Sequence, residues 1–177
     1  MKEKIDFIFN RHCCRNFIKG KKLPQEHIEL LMEALRAAPS AGNIQPWFFY
    51  VVKNEKIKKE LAHAAFGQGF IAEADVVFVV CADPGSSASG YGRRGEELYC
   101  IQDTAAATQN LLLAASALGY GACWIGAFSP EKAAVALDVP GNLMPVSIIP
   151  VSYMNEKARI TSRKDKEDIF KIIQDRE

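Results

Sequence analysis

The sequence predicts an α+β fold or an α/β sandwich, with helices long enough to cover a central sheet. Three observations lead there. Helical and strand-like segments alternate irregularly along the chain. The helical segments carry apolar residues on one face. The run DVVFVVCA at 75–82 is continuously apolar, as in a strand buried on both faces of a sheet. At 177 residues the chain suits one domain spanning 1–177 with a sizeable core, and two would be cramped.

In chain order, a helix is expected over 24–38. Ile28, Leu31, Met32 and Leu35 fall at i, i+3, i+4 and i+7, with Pro24 early and Pro39 closing it. Trp47 to Lys53 reads as a strand, and Glu55 to Phe66 as a helix with Ile57 and Leu61 on one face. After the 75–82 strand, PGSSASGYGRRG at 84–95 reads as a slack connector, with a lid over a pocket as the alternative. Residues 96–118 form one long alanine-rich helix with Leu98, Ile101, Ala105, Leu112 and Ala115 inward and Gly119 at its C-cap. Such a helix suits close packing against another backbone, as at the centre of a dimer interface.

Ala122 to Ile125 reads as a short strand, and Ser129 and Pro130 start a helix as N-cap and first residue. Pro145 to Tyr153 is a strand in which Pro150 marks an edge or a bulge. Asp165 caps a final helix carrying Ile169, Phe170, Ile172 and Ile173.

Composition and motifs exclude several classes. A net charge of +1 gives no global field to hold a nucleic acid. The segment MKEKIDFIFNRHCC lacks the apolar run of a signal peptide, and no run approaches a membrane span, so a cytoplasmic location is expected. The five cysteines contain no CxxC and no ligand-spaced histidine, which argues against a zinc site or a disulfide framework. Cys81 and Cys123 read as core residues. Cys13 and Cys14 lie among cations that would lower a thiol pKa. No GxGxxG follows a strand, and there is no GxxxxGK[ST], GxSxG or HExxH. The chain therefore reads as a binding module or as an enzyme whose cofactor carries the chemistry.

The segments that do suggest chemistry are RHCCRNF at 11–17, APSAGNIQPWFFYVV at 38–52 and RKDKEDI at 163–169. Arg11 and Arg15, beside His12 and Cys13, form one basic cluster, and Arg163 with Lys164 forms another. Converging in space, they would bind and neutralise a phosphate. The competing reading is two solvated charge runs. The small residues at 39–42 would let main-chain amides approach a flat ligand, where the competing reading is an ordinary helix-to-strand turn.

These segments, with IQDTAAATQNLLLAASALGYGACWIGAF and PVSYMNEKARITSRK, lie in the order found in the nitroreductase family of FMN-dependent oxidoreductases, which the chain resembles over nearly its whole length. RHCCRNF is similar to the family's RRSxRxF opening, and the segment at 38–52 to its PSxxNxQPW motif. The resemblance implies a central mixed or antiparallel sheet flanked by helices, in an intertwined homodimer with FMN at the interface. It implies that Arg11, His12 and Cys13 hold the flavin phosphate and ribityl chain with Arg163 and Lys164, and that Arg15 lies beside the flavin N1 and C2 carbonyl. Pro39, Ser40, Ala41 and Asn43 would line the isoalloxazine from the opposite subunit. Gln68 would pair with the pyrimidine edge, and Ile125, Gly126 and Ala127 would lie near N5.

The implied activity is reduction of nitroaromatics, quinones or a related acceptor with NADH or NADPH. A flavin-binding sensor or storage module is the alternative. Cys13 departs from the family's usual serine, and SYM at 152–154 from its usual GYP. Tyr91, Arg93 and Arg94 read first as solvated loop residues and only then, with Phe128, as substrate contacts.

Overall fold

The computed structural model describes residues 2–155 and 161–173. In chain order its helices and strands are α1 (Asp6–Asn10), α2 (Gln25–Arg36), β1 (Trp47–Val52), α3 (Glu55–Ala64), α4 (Phe70–Glu73), β2 (Val76–Ala82), α5 (Pro84–Arg94), α6 (Cys100–Ala117), β3 (Gly121–Ala122), α7 (Pro130–Leu137), β4 (Met144–Ser152) and α8 (Lys166–Ile169). The four strands form one sheet in the order β1-β2-β4-β3, antiparallel at each pairing. The fold is α+β, as expected.

Every residue of β2 is buried, and strand alternation divides its side chains between two cores. Val77, Val79 and Cys81 pack with Leu61 of α3, Ile71 of α4 and Ala133 of α7. Val76, Phe78 and Val80 pack with Ile28, Leu31 and Leu35 of α2 and with Leu111, Leu112 and Ala115 of α6. The helix starts follow the capping chemistry of the sequence. Asn54 accepts from Lys56 N and Ile57 N at the head of α3, and Ser129 accepts from Lys132 N at the head of α7.

Several expectations are corrected. Residues 84–94 are a helix rather than a connector, because the Asp83 side chain accepts from Ser86 N and Pro84 occupies the first turn. That helix breaks at Gly92 (φ 56°, ψ −145°), a conformation that only glycine adopts readily. The expected single helix over 96–118 is a π-helical turn, Gly95–Tyr99, followed by α6. Its buried face is Cys100, Asp103, Thr104, Ala107, Thr108, Leu111, Leu112 and Ala115. Of the expected inward stripe, Leu112 and Ala115 are buried, Leu98 and Ala105 are half-buried, and Ile101 is exposed.

Pro150 lies in β4, between β2 and β3 rather than on an edge. Its imide faces the β3 side, where the ladder ends at Ala122 and resumes only as the bridge of Ile125 with Ile148. The strand expected over 122–125 is interrupted for the same reason. The expected final helix is only α8, in which the Asp165 side chain accepts no capping hydrogen bond, and Ile169, Phe170, Ile172 and Ile173 are exposed.

Candidate active site

The segment after α1 is extended and laid against the short strand β3. Cys13 bridges Ala122 in parallel, and Cys14 N donates to Ala122 O at 3.0 Å. Farther on, Phe17 bridges Met154 and Ile18 N donates to Tyr153 O at 2.9 Å. Pinned at both ends, this segment forms one wall of a pocket of about 240 Å³ lined by Phe9, Asn10, Arg11, His12, Cys13, Arg15, Thr161 and Arg163. The two basic clusters thus converge on one concavity. Lys164 is exposed and does not line it.

The polar groups of this pocket are oriented by the main chain. Arg163 Nη1 donates to Thr161 O at 3.0 Å, Thr161 Oγ1 at 2.6 Å and Ser162 O at 3.2 Å. His12 Nδ1 lies 3.2 Å from Asn10 O, which places the ring proton on Nδ1. His12 Nε2 is buried and has no hydrogen-bond partner among the described residues. A buried polar atom left so carries a desolvation cost that a ligand can relieve. Beneath the segment, burial pushes the Cys123 thiol up to about 12, the Cys13 thiol adding to the shift and Arg15 opposing it. Residues 13 and 15 are thereby neighbours of the chain that leads to 125–127.

Ile125 is buried and exchanges two main-chain hydrogen bonds with Ile148, at 3.0 and 3.1 Å. Gly126 and Ala127, just beyond, are exposed. Gln68 approaches them from the turn after α3, its Nε2 donating to Ala127 O at 3.2 Å and Ala65 O at 3.1 Å. With the amide nitrogen engaged, the Gln68 carbonyl oxygen is the end available to a ligand.

Pro39, Ser40, Ala41 and Asn43 do not line the cationic pocket. They form a tight loop with a positive φ at Gly42 (56°), Asn43 (55°) and Gln45 (56°), which strains the backbone at the two residues that are not glycine. The loop is held from within and from below. Ser40 Oγ accepts from Gln45 N at 2.9 Å, and Ala41 N donates to both carboxylate oxygens of Asp103, at 3.1 and 3.2 Å. Asp103 is 8% exposed, and burial holds its carboxyl above the usual range, opposed by the Ala41 amide. Tyr91 of α5 covers Gly42 so closely that a Cβ there would lie 2.6 Å from the Tyr91 hydroxyl.

Asp103 and Tyr91 are the residues that sequence reasoning missed in this role. The lone acid of an alanine-rich helix, one turn from its start, was the available signal for Asp103.

A two-faced α/β sandwich with a cationic pocket at the edge of its sheet and a strained, small-residue loop elsewhere on its surface defines a class of ligand-binding fold with known relatives. The sequence profile described as the nitroreductase family matches residues 8–75 and 61–153. The chain belongs to the nitroreductase family. A protein of Archaeoglobus fulgidus whose name describes an NADH dehydrogenase/NAD(P)H nitroreductase is 35% identical over 162 residues, 89% of this chain and 88% of its own. A Bacillus subtilis protein named FMN reductase (NADPH) is 27% identical over 166 residues, 86% of this chain and 66% of its own. The crystal structure of a Parabacteroides distasonis protein, described in the same words as the Archaeoglobus one, is 28% identical and superposes with a TM-score of 0.83 over 97% of this chain and 98% of its own.

Proposed function

We propose that the protein is an FMN-dependent oxidoreductase that draws on NADH or NADPH to reduce nitroaromatics, quinones or a related electrophilic acceptor. The observation that carries the reading is the pocket where Arg11, His12, Cys13, Arg15 and Arg163 converge around His12 Nε2, buried and without a hydrogen-bond partner among the described residues. When bound, FMN supplies hydride transfer through its N5, in two half-reactions that give ping-pong kinetics.

In this reading the residues divide the work of binding, orientation and charge. Arg11 and Arg163 neutralise the phosphate, His12 takes a polar contact through Nε2, and Cys13, a weak donor, contributes less than a serine would. Lys164 adds charge beside Arg163 without entering the pocket. Arg15 sets its charge at the N1 and C2 carbonyl edge, where negative charge develops on reduction. Gln68 accepts from the pyrimidine edge, and Ile125, Gly126 and Ala127 form the wall near N5.

Pro39, Ser40, Ala41 and Asn43 line the ring from a second subunit. A homodimer with the flavin at its interface is supported by Phe9, Phe170, Ile172 and Ile173, all more than half exposed in the single chain (58, 68, 82 and 79%). The alanine-rich α6 offers a second surface for such an interface.

The test is an absorbance spectrum of the purified protein, followed by anaerobic NADH and then NADPH. Flavin bands bleached by either nucleotide are the expected result. Bands that persist with both would replace the reductase with a flavin-binding sensor or storage module. No bands after FMN is added would end the flavin reading.

A further inference from the structure

The helix α5 and the π-helical turn behind it carry a group that the preceding reading leaves unused. The Tyr91 hydroxyl lies against Gly42, so this helix borders the loop at 39–43. Tyr91 meets Tyr99 edge to face, with ring centres 5.1 Å apart and planes at 80°. Arg94 Nε donates to the Tyr99 hydroxyl at 2.8 Å, and its guanidinium carbon stands 5.3 Å from the centre of that ring. Loop, Tyr91, Tyr99 and Arg94 therefore form one continuous surface. Tyr91 is 42% exposed, which leaves aromatic area on it for a ligand.

Charge distinguishes the two adjacent arginines. Arg93 is neutralised by Glu97, with Nε 2.7 Å from the carboxylate. Among the described residues Arg94 has no carboxylate within 4.0 Å, and its two amino groups have no hydrogen-bond partner. The break at Gly92 turns the chain between Tyr91 and this pair, and the π-helical turn that follows carries Tyr99. Segments of π-helix inside α-helices are frequent at functional sites. A guanidinium resting on an aromatic ring and lacking an acidic partner is a ready receptor for a planar anion, which it can bind through two parallel N–H donors.

We propose that Arg94, presented on the Tyr91–Tyr99 pair beside the loop at 39–43, selects anionic aromatic acceptors. It takes their carboxylate while the ring packs on the tyrosines. The inference rests on the reading of that loop as the wall of the flavin site, and it names the substrate class which that reading leaves open.

The test compares 4-nitrobenzoate with 4-nitrobenzyl alcohol at saturating NADH. These acceptors share ring and nitro group and differ in charge, and the donor carries no additional phosphate. The quantity read is the ratio of their kcat/KM values, so that intrinsic reactivity cancels between variants. Arg94→Gln should lower the ratio by about fivefold, the scale of a well-placed but solvent-accessible charge pair. Added salt should compress it in the parent protein and not in the variant. Arg93→Gln, which removes a guanidinium already paired with Glu97, should leave the ratio near its parent value.

A ratio unmoved by Arg94→Gln would overturn the inference. So would an equal loss in both variants, since that would mean general attraction by the basic surface. Failure here is separable from failure of the flavin reading: a parent protein whose flavin bleaches with NADH but shows no Arg94-dependent preference refutes only the acceptor class.

Discussion

The pocket at Arg11–Arg15 and the loop at 39–46 solve opposite problems. The pocket is concave within one chain, assembled from the end of α1, the extended segment after it and residues 161 and 163, and one of its buried polar atoms has no hydrogen-bond partner among the described residues. The loop lies apart from that pocket. Its amides at Ala41 and Gln45 are bound by the Asp103 and Ser40 side chains, and Gly42, Asn43 and Gln45 are exposed. The first region suits a charged ligand, and the second, in the function proposed above, a flat one. Unfinished hydrogen bonding marks the one, and backbone strain fully supported from behind marks the other.

The largest effect that would break this comparison lies in the pocket. Arg11→Ala and Arg163→Ala should each weaken FMN binding by roughly 10- to 100-fold, the range for losing a hydrogen bond between charged groups. Titration of the apoprotein by flavin fluorescence reads this directly. Both variants should fold normally, because neither guanidinium supports the core. Unchanged affinity in both would remove the phosphate from this pocket and leave the two basic clusters as solvated charge.

Much of this architecture was legible in the sequence, for identifiable reasons. β2 could be read because all its residues are apolar, and α2 because its apolar period is unbroken. In sequence α5 looks like a connector because Gly85, Gly90, Gly92 and three serines are poor helix formers, a preference that tertiary packing overrides. The Asp83-Pro84 start is the helix signal that the sequence does carry. Pro150 showed that an N–H was missing but not which neighbour it would face. The apolar period at 169–173 is real, yet periodicity does not say which chain covers it. In the site, the arginines could be read as motifs, whereas Asp103 looks solvent-facing until the 62-residue gap to Ala41 is closed by the fold.

The next effect concerns the support beneath the loop. Asp103→Ala leaves the Ala41 amide without its acceptor and should cost about 1–3 kcal/mol of stability. It should also lower kcat/KM more than it weakens binding of the FMN phosphate, because the two regions are separate in one chain. Asp103→Asn keeps an acceptor and removes the charge, and its behaviour depends on pH in a defined sense. Burial raises the carboxyl pKa in the folded state above the ordinary aspartate value of 3.8. The folded state thus binds the proton more tightly than the unfolded one, and the acid form carries the greater stability. As pH rises from the ordinary aspartate value through the raised one, the parent protein should lose stability relative to Asp103→Asn, after which the difference stays constant. Parallel thermal melts across acid pH measure it. A difference that grows as pH falls would mean that the Ala41 hydrogen bond outweighs burial.

The smallest effect tests whether the loop is held as tightly from above as from below. Gly42→Ala places a Cβ at φ 56°, which costs about 1 kcal/mol for an L-residue, and sets it 2.6 Å from the Tyr91 hydroxyl. Tyr91 cannot simply swing aside, since its ring is braced against Tyr99. Combining Gly42→Ala with Tyr91→Phe deletes the obstructing oxygen and leaves the ring carbon 3.4 Å away as the nearest contact. The double variant should then be destabilised by only the backbone cost, a melting-point loss of about 2–4 °C for a chain of this size. Gly42→Ala alone should lose more. Additive effects of the two substitutions would show that Tyr91 does not press on the loop, and that Ser40 and Asp103 hold it in place without it.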